Sequence, residues 1–268
     1  MTRSFHTLKA SAPWSAAAIG ALLGLVLATV IFAPARWLAA GVNQATGGQI
    51  MLTDARGTVW TGSARLTLSG GAASQGSMAL PGRVDWRMRP SASGRGAAVI
   101  ANVNASCCMT QALQVQTSPR WGGAVLQVAN HTSNWPAGLL AGLGTPWNTI
   151  QAQGLLALST QGLSVEWVGG RVVMRGSVQL DALDMASRLS TLKPMGSYRL
   201  TLNGGTVNKL QLETLQGSLQ LTGSGQWVGG RLRFDGEASS TPKRQDALSN
   251  LLNIIGRRSG ARAIIKVG

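Results

Sequence analysis

Every second residue is apolar in a series of short runs that begins near Gln49 and continues to the C-terminus. "ARLTLSG" places Leu66 and Leu68 on one side of an extended chain, and "SYRLTLNGG" does the same with Tyr198, Leu200 and Leu202. "GSLQLTGSGQW" aligns Leu219 with Leu221, and "GRLRFDGEA" aligns Leu232 with Phe234. This period suits half-buried antiparallel strands, one face packed and the other wet. Gly-Gly, Ser-Gly and Asn-Gly separate the runs and supply the positive φ that tight hairpins need. With strands of about 5–6 residues, the pattern predicts a large, curved antiparallel sheet.

"WVGGR" occurs at Trp167–Arg171 and again at Trp227–Arg231, and both copies run on to a glycine, Gly176 and Gly236. Each copy reads as a strand end, a Gly-Gly turn and the start of the return strand. "PRWGGAVLQV" at Trp121 is a variant copy, and "GTVWTGSARLTL" at Trp60 a candidate fourth. A tryptophan beside such a turn is expected to lie over bare glycine backbone; the competing reading is a sugar-stacking platform. Trp60 precedes Trp167 by 107 residues and Trp121 precedes Trp227 by 106. That register predicts two similar halves, 49–145 and 146–268.

Three helical interruptions are expected. "WPAGLLAGLG" begins at Trp135, and "DALDMASRLSTLKP" spaces Leu183, Ala186 and Leu189 or Ser190 for one helical face, stopped by Pro194. The third opens with Thr241 and Pro242, carries Leu248, Leu251, Leu252 and Ile255 as a stripe, and ends at Gly256. It is expected to pack on its own sheet. "ARAIIKVG" then reads as a closing strand.

The N-terminus points to a membrane. "SAAAIGALLGLVLATVIFA", Ser15 to Ala33, has 19 residues and no charge. As a helix it is about 28 Å long, close to a hydrocarbon core. Trp14 and Trp37 bracket it, as interfacial aromatics do, and Pro34 stops it. Ala33-Pro34-Ala35 has a small-x-small pattern, but the apolar run exceeds the ~7–15 residues of a signal-peptide core, which favours an uncleaved anchor. Arg3 and Lys9 favour a cytoplasmic N-terminus. The expected organisation is a cytoplasmic tail (1–14), a transmembrane signal anchor (15–36) and a periplasmic β-rich domain (37–268) of a bacterial inner-membrane protein.

Material for chemistry is scarce. His131 is the only histidine after the anchor and sits in polar "VANHTSNWP". "STLK", Ser190 to Lys193, matches SxxK without its usual companions. Asp181 with Asp184, and Asp235 with Glu237, read as strand-edge or helix-terminal acids as readily as dyads. Adjacent Cys107 and Cys108 read as two small apolar residues, a vicinal ring being the strained alternative. No catalytic, cofactor-binding or metal site is expected, nor an enzyme. The chain carries 24 Lys and Arg against 9 Asp and Glu, a net +15. Nucleic acid is not an expected partner, since the anchor removes the domain from the cytosol and the basic residues are spread out. Anionic lipid, lipopolysaccharide and acidic proteins stay open.

"ARGTVWTGSARL" after the anchor, "GRVDWRM", "LGTPWNTIQAQGLLAL", "PMGSYRLTLNGG", "LQGSLQLTGSGQWVGGRLRFDGEAS" and "ALSNLLNIIGRRSG" together resemble type II secretion system protein N, the general secretion pathway protein N family. The resemblance runs from the anchor to the end, and its last two segments are the most specific. It implies a bitopic inner-membrane protein, an accessory of the machine that moves folded proteins from periplasm to exterior. The implied partners are other secretion components, either the inner-membrane platform or the secretin, with membrane lipid met through the anchor. The family's distant likeness to AsmA-like envelope proteins adds an alternative, a lipid-binding or lipid-transfer module. A filled interior argues for the first reading, an open apolar trough for the second.

Overall fold

A computed structural model of the chain describes residues 14–71, 76–93, 96–228 and 230–268. Helix α1, Trp14–Ile31, has no buried residue and a mean hydropathy of 2.1, so it is long and apolar enough to cross a bilayer. It stops just short of Pro34, and a second helix, α2 (Ala35–Ala45), starts immediately after that proline. The sequence pattern did not mark α2. Its Ala35 is buried with Ala64 and Trp86, so packing rather than intrinsic propensity holds it.

The strands follow as β1 (Ile50–Gly57), β2 (Thr61–Ser69), β3 (Ser77–Ala79), β4 (Val84–Ser93), β5 (Gly96–Ala105), β6 (Leu113–Arg120), β7 (Gly123–Val128) and β8 (His131–Pro136). A 3-10 helix (Ala137–Leu143) and the one-turn α3 (Trp147–Ile150) interrupt them. The second series is β9 (Gln153–Val168), β10 (Arg171–Ala186), β11 (Gly196–Asn203), β12 (Lys209–Gly217), β13 (Leu219–Val228) and β14 (Arg231–Ser240). A 3-10 turn (Pro242–Arg244), α4 (Gln245–Ile255), β15 (Arg257–Ser259) and β16 (Arg262–Val267) close the chain.

All the strands belong to one open sheet of 16, ordered β1-β2-β4-β5-β6-β7-β9-β10-β11-β12-β13-β14-β16-β15, with β3 beside β2 and β8 beside β9. It is the large antiparallel sheet that the alternation predicts. Register explains the apolar face: Leu180 lies opposite Leu158 on one side and Leu200 on the other, and Leu200 opposite Leu212. Because side chains alternate, these leucines share a face across four strands. Helix α4 covers part of that face. Its Leu248, Leu251 and Leu252 are essentially inaccessible and join Tyr198, Leu219, Ala238 and Ala263 in the largest core cluster. Each fully buried leucine contributes about 2 kcal/mol of hydrophobic stabilisation. The apolar stripe, the stop at Gly256 and the closing strand match the pattern, but α4 starts only at Gln245: Pro242 opens a 3-10 turn and Thr241 makes no side-chain cap.

Three expectations need correction. "DALDMA" is strand, not helix: Ala182 is wedged between Leu156 and Tyr198, and ladders on both sides satisfy this stretch of backbone. Tertiary pairing overrides the weak helical spacing here. The "WPAGLLAGLG" helix is a 3-10 helix that starts only at Ala137, because Trp135 and Pro136 are paired with β9. Strands β9 and β10 have 16 residues each, far beyond the expected length. A register shift between Arg175 and Ser177 lets this long hairpin bend.

The glycine turns behave as read, but their tryptophans do not. Gly169 and Gly170 have φ of +56° and +75° and close the β9–β10 hairpin. In the second copy Gly229 lies outside the described residues. Trp121 is fully exposed and Trp167 is 44% exposed, so neither is packed down on glycine backbone. That role falls to other aromatics. Phe234 lies against Gly223, Gly225 and Gly236, and Trp86 against Gly62, so that a methyl group at any of these glycines would strike a ring.

Candidate interaction surfaces

Several of the residues that suggested chemistry take part in structural contacts. Ser190 donates its hydroxyl to the carbonyl of Ala247 at 3.0 Å and accepts the N–H of Leu192, pinning the loop after β10 to α4. His131 opens β8 opposite Thr160. Three of the four acids in the two carboxylate pairs are matched by cations. Arg199 donates Nε and Nη2 to the two oxygens of Asp181, both at 2.8 Å. That fork, with a smaller contribution from Gln179, holds the Asp181 carboxyl below the usual carboxylate range against the opposing effect of burial. Asp184 has a left-handed backbone, φ +49°, and donates its N–H to Ser197 Oγ at 3.0 Å. Asp235 meets Lys266 at 3.6 Å and Glu237 meets Arg262 at 3.3 Å, each across the β14–β16 ladder. Among the described residues no three His, Cys, Asp or Glu side chains are grouped as metal ligands would be.

A more organised feature sits where α1 joins the sheet. The Trp60 indole donates to the carbonyl of Val30, in the last turn of α1, at 2.8 Å. Val59 N–H donates to Ala33 O at 2.8 Å, and Pro34 forms a bridge with Thr58. Beneath this, Trp86 Nε1 donates to Thr58 O and Val59 O at 3.2 and 3.0 Å, while its ring packs with Ala35 and Ala64. The β1–β2 turn is therefore stapled to the end of α1 by Trp60 and a pair of backbone contacts, and Trp86 ties the same turn to α2. Sequence reading took Trp60 for a fourth glycine-turn copy and missed this role. The available signal was its distance from any Gly-Gly pair, together with Trp86 in "GRVDWRM".

The family described as type II secretion system (T2SS), protein N, matches residues 48–265 of the chain. The chain belongs to the type II secretion system protein N family. No curated protein and no solved structure matches it. The matched span starts just before β1 and ends within β16, so it takes in α4 and all of the sheet but the last two residues of β16. The apolar helix α1 and all of α2 lie outside the match.

Two surfaces of this protein N family member are open to partners. On the apolar face, Val178, Leu200, Leu202 and Leu210 are half-buried and lie outside the core clusters. The recesses in the surface have a different chemistry. One is lined by Arg56, Arg87, Arg89, Asn102 and Asn104, another by Thr110, Asn130, His131 and Thr160. Polar side chains line both, with Trp86 also in the wall of the first. Cys107 and Cys108 form a vicinal disulfide at the turn after β5, and Cys108 is buried beside Leu80, Val84 and Leu139. The ring reading of this pair and the apolar reading of Cys108 thus both hold. Exposed apolar side chains gather at hairpin ends and at single positions such as Leu215, 40% exposed, at a register shift of β12.

Proposed function

We infer that this chain is an accessory inner-membrane component of the type II secretion system, with a cytoplasmic N-terminus and the sheet in the periplasm. It acts by protein–protein contacts with other secretion components rather than by catalysis. The proposed organisation is the tail (1–14), the anchor (15–36) and the exported body (37–268), built on two related halves (49–145 and 146–268). The observation that carries the reading is the stapled junction. Bonds from Val59 and Trp60 to Ala33 and Val30 hold the sheet against the end of a membrane-length helix. A body fixed to its anchor in this way suits a part that holds position within a larger assembly.

A second reading, an AsmA-like lipid-binding or lipid-transfer module, is favoured by the half-buried lane of Val178, Leu200, Leu202 and Leu210. The core under α4 is filled, which supports the first reading. Topology is tested by fusing, in separate strains, alkaline phosphatase and a cytoplasm-dependent fluorescent protein after Gly268. Phosphatase activity with a dark fluorescent fusion is the expected result. Fluorescence without phosphatase activity would reject the exported placement.

A further inference from the structure

The sheet carries a protruding tab. Strand β2 reaches only Arg87 on β4, and β11 reaches only Ser177 on β10. Between these neighbours, β4, β5, β6, β7, β9 and β10 run on together. Ser93 is six positions past Arg87, and Arg171 six positions past Ser177. At about 3.3 Å per residue the tab extends about 10–17 Å beyond its neighbours, since Gly204 still lies against Met174 on one side and Trp60 O accepts from Met88 N–H on the other. Its β6–β7 and β9–β10 turns are joined, since Gly169 N–H donates to Gly122 O and Gly123 pairs with Val168.

The tip is apolar on both faces, which is unusual for a hairpin end in water. Trp121 is 100% exposed, Val172 55%, Trp167 44% and Val173 39%. Val172 and Val173 are consecutive in β10 and so point to opposite sides. Arg120 and Arg171 flank the turns, exposed and without an ion pair among the described residues. The one acid in the outer part of this hairpin, Glu166, is matched by Arg175 at 3.4 Å. A protein docking site needs one apolar face, whereas a bilayer interface surrounds a tip on all sides. Indole rings, aliphatic side chains and unpaired guanidinium groups together are the side chains that partition there.

Topology directs the tip to the same end of the sheet as the anchor. The β1–β2 turn, where α1 joins, lies at the end of β2 opposite Arg87, toward the tab's tip rather than its base. Six strand spacings of about 4.8 Å separate β2 from β10, so the tip lies roughly 30 Å along the sheet from the junction. We propose that the β6–β7 and β9–β10 hairpin tip is a second membrane contact, seated in the headgroup region of an anionic bilayer on the side where α1 emerges. With α1 it fixes the sheet at two points and so sets its tilt. The inference rests on α1 spanning the bilayer but not on membership of a secretion machine.

The test uses the full chain reconstituted through α1 into phosphatidylcholine vesicles with and without phosphatidylglycerol. A fluorescent amino acid replaces Trp121 in one sample and Lys243, exposed at the opposite end of the sheet, in another. Lipids spin-labelled near the headgroup act as quenchers. Strong quenching at position 121 that rises with phosphatidylglycerol, and none at 243, is expected. The double variant Arg120→Glu/Arg171→Glu should lower tip occupancy at least tenfold, each arginine near an anionic surface being worth about fivefold. An unchanged thermal transition for that variant shows the fold intact. Equal quenching at 121 and 243, or none at 121, overturns the proposal. Co-flotation of the chain with vesicles after alkaline extraction reports α1 insertion separately, so a failed anchor is not mistaken for a failed tip.

Discussion

Leu251→Ala should unfasten the C-terminal helix, and its cost can be worked from the site. Leu251 is 1% exposed and packs in the cluster with Leu219, Ala238 and Ala263. The substitution removes three carbons, about 2.4 kcal/mol at roughly 0.8 kcal/mol each. Neighbours on β13, β14 and β16 are held by ladder bonds and cannot close the gap fully, so the cavity raises the cost to about 3–4 kcal/mol. In a chain of this size that lowers Tm by roughly 6–16 °C. Ile254→Ala on the same helix is the control, since Ile254 is 37% exposed and its loss should cost under about 1 kcal/mol. Thermal unfolding of the full chain in detergent micelles, followed by circular dichroism in the β region, reads both. Equal shifts for the two variants would refute the packing of α4 described here.

Other consequences follow from the same contacts. The Asp181 carboxyl is depressed by Arg199, so its contribution is present above the unfolded value of about 3.9 and is lost as pH falls through the lower folded value. Asp181→Asn should therefore cost roughly 1–2 kcal/mol at neutral pH, allowing for the partial exposure of Arg199, and the gap to wild type should narrow in denaturant melts below about pH 4. Tyr198 is buried, its hydroxyl has no hydrogen-bond partner, and burial raises its pKa. Tyr198→Phe should leave stability unchanged or raise it by up to about 1 kcal/mol in a urea titration, where a clear loss would show a partner for that hydroxyl. Gly223→Ala drives a methyl group into the Phe234 ring and should destabilise by about 1–3 kcal/mol. The double variant Gly223→Ala/Phe234→Leu should recover part of that loss, and strict additivity would contradict the contact.

How far the chain is legible from its sequence depends on which interactions decide each segment. Period-2 alternation at Leu200/Leu202 and Leu219/Leu221 is local, and the glycine turn at Gly169-Gly170 imposes its own backbone, so the sheet is readable. The Leu248-Leu251-Leu252 stripe and Pro242 are also local, and α4 follows them. Asp181–Ala186 is decided by its two neighbouring strands, which no local pattern records. Packing against Trp86 decides α2 in the same way. The candidate surfaces are less legible still. The difference between Trp86, buried over Gly62, and Trp121, bare at a turn, comes from which strands extend beyond their neighbours. "WVGGR" and "PRWGG" mark the hairpins without revealing that two of them form one tip.

In-cell photocrosslinking from exposed sites tests the central claim most directly. Leu251 and Phe234 are buried and would report only the interior, whereas Leu215 and Ile254 are 40% and 37% exposed. A photoreactive residue at each of these two positions is activated in wild-type cells and in cells lacking the rest of the secretion apparatus. Adducts are identified by mass spectrometry. Adducts to other type II secretion components that disappear in the deleted strain are the expected result. Lipid adducts that persist without the apparatus, and no protein adducts to secretion components, would contradict it.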